Sequence, residues 1–535
     1  MVLSRFSKSI FSVLLFVIAP AFATSQESSL RNIIDKEIKT GFAKEKVAPP
    51  DRAGDSVFLR RIYLDLVGMV PSYDETTAFL KDAHPKKREK VIDRLLADSR
   101  YATQQAQIWD LVLFGRNPLS FDARGKREGF KKWLSEQFAK NEPYDRLVSK
   151  LLTAEEDGSQ LFYVQYRNAT EELTTAVTRV FLGTQLQCAR CHDHPFEHWT
   201  QKDFVGMAGF FIRLVVVDAG GTATDKKFVI GEKSTGEVLF AGSVKELKPG
   251  MKGDPIKPKF LGGIELKEPL MPKDFKDPVF KGNKALPKPA FSRKAKIVEW
   301  LTAKDNPYFA RALANRIWAQ FMGRGFVHPV DDFSEKNEPS HPALIKAMEA
   351  NVVANKFDVK ALIREIVNSD AYQVTDTGLV TDALPKYYER ARVRPLSAEE
   401  LMASLGVSTG HGADWAAKSQ NATTEYMTRF FGEPTDGQGV FQGSLAEHLF
   451  LNNAGQIRAL GQARTGNLAD DIMKSKESWD AKVDRLFLSI LNRTPTEAER
   501  ERFVKHITAD AKSTPQRLEE AVWVLVSCSE FRFNR

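Results

Sequence analysis

Apolar residues recur at three- and four-residue spacing along most of this chain, and in one central stretch they do not. Ile92, Leu95 and Leu96 fall on one face of a helix. Val359, Leu362, Ile363, Ile366 and Val367 fill every apolar position of two helical turns. Between residues 30 and 212 the spacing predicts short helices over 107–114, 130–138 and 144–152. A longer one is expected over 171–187, with Ala176, Val180 and Thr184 on one face, leading straight into Cys188. Helical spacing returns from residue 291, where Ser397 with Glu400 reads as a capping box. Thr494 with Glu497 reads as another, with Pro495 in the first helical position. Residues 408–440 are rich in Gly, Thr and Asn and predict a long loop.

Residues 213–288 break the helical rhythm. Gly, Pro and Lys accumulate there, and the short apolar runs 214–217, 228–230 and 238–240 predict strands. A Pro/Lys-rich linker over 273–289 closes the stretch. The fold expected is mainly α: two helical domains with a small β-rich insert between them. The boundaries expected are 24–212 for the first domain, 213–288 for insert and linker, and 289–535 for the second. Length agrees, because 535 residues exceed the ~250–300 at which a single core stops growing.

The first 23 residues change the compartment. Arg5 and Lys8 precede the apolar run Ile10 to Ala19, and Ala21-Phe22-Ala23 offers small residues where a signal peptidase reads. The run is too short to span ~30 Å of hydrocarbon and is interrupted by Pro20. A cleaved signal peptide over 1–23 and a periplasmic or secreted mature protein are expected, with no stable membrane insertion afterwards. A hydrophobic share of 42% with 27% charged residues excludes wholesale disorder and a polytopic membrane protein. Three cysteines exclude a disulfide-built scaffold. The formal charge of +8 does not select nucleic acid, because no short stretch concentrates Lys and Arg among aromatics.

Chemistry concentrates at Cys188-Ala189-Arg190-Cys191-His192, followed by Asp193-His194-Pro195 and His198. This is the Cys-x-x-Cys-His spacing of haem c attachment. On a helix the three residues share a face, so two thiols can join two vinyl groups of one porphyrin while His192 takes the proximal position on iron. Met207, His198 or His194 could occupy the distal position. Three other uses compete: zinc held by Cys188, Cys191, His194 and His198, a Cys188–Cys191 disulfide, and a purely structural turn. For Met207 the competing use is ordinary core.

A second candidate is the loop from Asp331 to His341, which carries four acids, an Asn, two Ser and a His. Such oxygen density could hold Ca²⁺, and Asp331, Asp332 and His341 are catalytic candidates for acid–base work. A helix-capping connection is the alternative, with Arg311, Asn315 and Arg316 in a buried network with the acids. Gly406-Val407-Ser408-Thr409-Gly410 matches a nucleophile elbow in letters only, since a capped helix precedes it where a strand is required.

These residues carry a resemblance. Arg60 to Gly68, Phe181-Leu182-Gly183, and Cys188 through Phe196 with Trp199 resemble the planctomycete cytochrome c-like domain of unknown function. Asp305-Asn306-Pro307 to Arg311, Asn315 to Trp318, Asp331-Asp332-Phe333, Pro339 to Pro342, Ile366 to Ser369 and Trp523 to Asn534 resemble its usual partner, the planctomycete-specific domain. The resemblance implies a covalent haem on Cys188, Cys191 and His192. Many relatives carry a further cytochrome c domain for which residues 24–60 leave no room, so the implied redox partner is another protein. The expected function is that of an exported haem c protein that transfers electrons. The alternatives are a metal-dependent enzyme acting on an extracellular polymer through the acidic loop, and a non-catalytic cell-surface protein with a Cys-x-x-Cys disulfide.

Overall fold

A computed structural model describes residues 29–116, 120–222, 225–240, 254–272, 274–278, 288–376, 385–419, 421–431 and 445–535. The expected signal peptide lies outside these residues, as do parts of the expected linker and of the expected loop over 408–440. The described chain is mainly α-helical, with three two-stranded sheets. No described helix is long and apolar enough to cross a membrane.

The periodic stretches form the helices they predict. Val359, Leu362, Ile363, Ile366 and Val367 all point inward from the helix Val359–Asn368, whose first turn is capped by Asp358. Ile92, Leu95 and Leu96 do the same from Lys87–Ala97. The Ser397–Glu400 box is present, with Ser397 Oγ accepting the Glu400 N–H at 3.2 Å. The later box is displaced by two residues. Thr496 and Glu499 form it at the start of Glu497–Thr508, so Pro495 precedes the helix. The stretch expected as a loop holds two helices, Trp415–Ser419 and Asn421–Phe430. Trp415 and Met427 are buried there in a hydrophobic cluster, which outweighs the local Gly and Asn content.

Six helices and four strands place the features discussed below. They are α1 (Asp55–Val67), α2 (Ser99–Phe114), α3 (Thr170–Leu182), α4 (Gln201–Ala208), α5 (Phe309–Met322) and α6 (Pro342–Ala354). Between α4 and α5 lie β1 (Leu214–Thr222), β2 (Asp225–Glu232), β3 (Val238–Phe240) and β4 (Asp254–Ile256). β1 and β2 pair antiparallel, Val216 opposite Ile230, and β3 pairs antiparallel with β4. Arg293, fully buried, fastens this insert to the following helix through Glu237 and Glu268 and through the Gly209 carbonyl.

The buried apolar side chains form two clusters that divide the chain differently from residues 213 and 289. The first runs from Leu30 to Tyr388 and mixes Tyr63, Trp109, Phe181 and Met207 with Phe309, Trp318, Leu344 and Ile363. The second joins residues from Leu396 to Phe531 with Leu64 and Val70. α1 therefore serves both, sending Leu59, Ile62 and Leu66 into the first and Leu64 into the second. Arg60, Arg61 and Asp65 of this helix are buried as well. Arg60 donates to Asn492 Oδ1 (2.9 Å) and the Phe531 carbonyl (2.6 Å). Arg61 donates to the carbonyls of Tyr372, Val374 and Arg535. Asp65 accepts from Arg394, Tyr372 and Asn534. Buried charges persist only when matched in this way.

Candidate functional site: two facing loops

The helix leading to the cysteines ends earlier than its periodicity suggests. α3 stops at Leu182 because Gly183 takes a left-handed φ of 63°, its N–H bonding the Arg179 carbonyl. A Cβ on Gly183 would lie 2.6 Å from Phe333 Cδ2, and the Phe333 N–H donates to the Gly183 carbonyl at 2.9 Å. Leu186 and Ala189, both fully buried, then pin a single 3-10 turn, Gln187–Arg190. Cys188 lies on that turn and Cys191 directly after it, not on an α-helical face. Both thiols are exposed and free.

Each histidine of the motif loop has a different role. His192 is exposed, and its Nδ1 lies 2.7 Å from the Asp193 carbonyl. Only an Nδ1–H bonds a carbonyl, so the lone pair is on Nε2. His194 has the opposite tautomer, because its Nδ1 accepts the N–H groups of Phe196 (3.3 Å) and Glu197 (3.0 Å). With one nitrogen so engaged and the other protonated, His194 is a poor metal ligand. His198 packs tilted against Trp199, ring centroids 4.0 Å apart, and places Nδ1 2.8 Å from Glu335 Oε1.

The acidic loop faces this motif loop and is fastened to it. Asp331, 2% exposed, pairs with Arg316 of α5 and with Arg179 of α3 at 3.1 Å. The Glu335 N–H donates to Glu197 at 3.0 Å, and Lys336 lies over the exposed Phe196 ring at 4.7 Å. Arg311 covers Phe333 at 4.5 Å. Burial raises the Asp332 carboxyl above its ordinary value; Glu197 adds to the shift and His194 opposes it. The ligand atoms of Glu197, His198 and Glu335 lie within 4.8 Å of one another. Cys188, Cys191, His194 and His198, the zinc set expected from sequence, make no such grouping among the described residues.

The structure separates the three candidate acid–base residues. Asp331 is an internal counter-ion to two arginines, and only Asp332 faces the motif loop. His341 opens α6 in an aromatic enclosure with Phe326 and Tyr388, ring centroids 6.1 and 5.5 Å away, and bonds Ser340. Of the expected network with the acids only Arg316 pairs with one, Asp331, while Asn315 bonds the backbone carbonyls of Val327 and Val330. Arg311 takes no part in that carboxylate pairing and lies against rings. Ser408 is buried at a helix end with Oγ on the Leu405 carbonyl, which agrees with the rejection of an elbow.

The fit of a haem divides into two parts. Two free, exposed thiols flanking a buried Ala189, beside an imidazole with its lone pair on Nε2, fit covalent attachment and proximal ligation. The distal candidates fit less well. Met207 of α4 is fully buried beside Phe204, Phe210 and Phe211, and His198 is bonded to Glu335. The cavities of about 810, 300 and 170 Å³ are lined by residues other than Cys188, Cys191 and His192. Sequence reasoning missed Glu197 and the specific use of Glu335. The adjacency of Glu197 to His198 was the available signal, and the partner loop was not.

Residues 33–215 match the family model PSCyt2, a protein of unknown function (DUF1549), and residues 293–436 match PSD1, a protein of unknown function (DUF1553). This is the two-region order that the sequence resemblance implied. No curated protein and no solved structure matches the chain.

Proposed function

We propose that this protein, a PSCyt2 region followed by a PSD1 region, is an extracytoplasmic haem c protein that transfers electrons. Cys188 and Cys191 tether the group, and His192 Nε2 is the proximal ligand. The observation that carries the reading is the state of these donors: two unspent thiols on one exposed turn, with the adjacent imidazole held in the tautomer that ligates through Nε2. Haem bound there supplies a one-electron couple at the surface. The chain's own residues orient it. Asp193 fixes the His192 ring, Ala189 and Leu186 hold the turn, and the acidic loop braces the turn from the other side. Protein made in a host with haem-maturation machinery should retain haem through acid–acetone extraction and give a c-type pyridine haemochrome. The Cys188→Ser/Cys191→Ser variant should lose it, and absence of covalent haem from the wild-type protein overturns the reading.

A second reading rests on Glu197, His198 and Glu335, whose two carboxylates and imidazole suit a divalent cation such as zinc. It would make the facing loops a metal-dependent enzyme site, the extracellular polymer of the sequence reading its substrate. Metal analysis of the same preparation discriminates, because Glu335→Gln should abolish a stoichiometric metal content and leave a haem spectrum unchanged.

A further inference from the structure

Away from the facing loops, a cavity of about 810 Å³ lies between β2, residues 153–161 and the first turn of the helix Arg293–Leu301. Phe228 and Ile230 of β2, with Leu161, give it an apolar wall. Lys294, the second residue of that helix, belongs to the lining and is half-buried. Its neighbour Arg293 is matched by Glu237 and Glu268, but no carboxylate among the described residues lies within ion-pair distance of Lys294 Nζ. Glu232 is taken up by the helix start, where it accepts the Lys294 N–H at 3.0 Å and the Ser292 hydroxyl. Nζ donates instead to the Thr153 carbonyl at 2.7 Å.

Three effects disfavour the charged form of this amine. Burial is the largest and lowers its pKa from the ordinary lysine value; Glu232 and Glu155 oppose the shift, and Lys288 adds to it. The first turn of a helix is also the positive end of its dipole, which repels an ammonium. Of the other charged groups in the lining, Lys226 is paired with Asp122 and Lys288 itself with Glu155. Lys126, Lys227 and Asp157 complete the set. A neutral amine still donates an N–H to Thr153, and it carries a lone pair that the ammonium lacks. Lysines that are desolvated and lie near a second cation are the ones that attack carbonyl carbon at neutral pH.

We propose that Lys294 is a reactive amine that captures a small aldehyde or ketone in this cavity as an imine. The neutral nitrogen adds to the carbonyl carbon, and one of its protons moves to the oxygen. The hydroxyl so formed leaves with the second proton as water, so no oxidant, metal or other co-reactant is required. Among electrophiles a carbonyl asks least of such a site, because no leaving group other than water has to be stabilised. The volume lies within the roughly 300–1,000 Å³ typical of small-molecule pockets. None of these residues belongs to the facing loops, so the site stands or falls apart from the haem and cation readings.

The test uses the full chain with butanal as the probe and cyanoborohydride to fix each imine as a secondary amine, the modified positions being read by peptide mass spectrometry. At about pH 7.5 Lys294 should be labelled at least about 3-fold faster than Lys227, an exposed lysine of the same lining. That lead should shrink as the pH approaches about 10.5, where an ordinary lysine is neutral as well. At limiting butanal the intact chain should carry a single adduct, and Lys294→Arg, which keeps a donor for Thr153, should remove it. Equal rates at Lys294 and Lys227 at about pH 7.5 would mean an ordinary ammonium in a cleft and overturn the proposal. A lead that does not fall as the pH rises, or an adduct that persists in Lys294→Arg, overturns it as well.

Discussion

His341 shows what a buried histidine does when no acid accompanies it. Burial holds its imidazole at about 4, below the ordinary 6.5. Between those values the unfolded chain binds a proton that the folded chain refuses. The contribution of His341 is therefore complete above about pH 6.5 and falls away as the pH drops towards 4. Asp110 has the opposite sign over part of that range, since burial lifts its carboxyl to about 6 against the pull of Arg127. Wild type alone does not isolate the histidine. Denaturant unfolding of wild type and His341→Gln at about pH 7.5 and about pH 5 does, and the variant should lose less stability on acidification. Met207 poses a simpler question. Fully enclosed in the first cluster, it should cost about 2–5 kcal/mol on replacement by Ala, read by chemical denaturation. The visible spectrum of haem-loaded protein should not change. A fallen reduction potential in Met207→Ala would instead make the sulfur an iron ligand.

Among the elements, the end of α3 is the most consequential. Gly183→Ala places a Cβ in a left-handed conformation, costing about 1–2 kcal/mol, and drives it into Phe333. The double variant with Phe333→Ala should recover the steric part and keep the conformational part, so the two changes should be non-additive in thermal unfolding. This helix end also marks the limit of what the sequence discloses. Helices such as Val359–Asn368 were legible because their entire apolar face lies within two turns. The stop at Gly183 is a local glycine signal that the apolar spacing running on to Thr184 masks, and what the sequence hides is the Phe333 ring packed against it. The helices of residues 415–430 were hidden because tertiary burial of Trp415 and Met427, rather than local propensity, stabilises them. At the site, spacing alone singles out Cys188, Cys191 and His192 as candidates, and the structure places them on and just after one exposed turn. Neighbours in the acidic loop were grouped wrongly, because adjacency in an irregular loop does not say which way side chains point. Asp331 turned to arginines and His341 to aromatic rings, while Glu335 met His198.

On the scale of the whole molecule, α1 holds the two clusters together through buried cations. Burial lowers the Arg60 guanidinium to about 10, and its acceptors lie at Asn492 and Phe531, the latter 471 residues away. Removing residues 531–535 would take the Phe531 carbonyl from Arg60, the Arg535 carbonyl from Arg61 and the Asn534 amide from Asp65, while their remaining partners stay. A loss of at least about 2–3 kcal/mol is expected in denaturant unfolding, the result of leaving several buried polar groups each short of one hydrogen bond. A loss below about 1 kcal/mol would show that water replaces those acceptors. The long reach of the contacts also acts as a clock on the cysteine turn. Glu335 meets Glu197 across 138 residues, so in a chain that emerges N-terminus first the turn appears before the loop that braces it. Until it docks, Gly183 lacks Phe333, Phe196 lacks Lys336 and His198 lacks Glu335, and the turn that carries the two thiols is held by Leu186 and Ala189 without the brace. Whatever acts on Cys188 and Cys191 meets a pliable substrate first and a braced one afterwards.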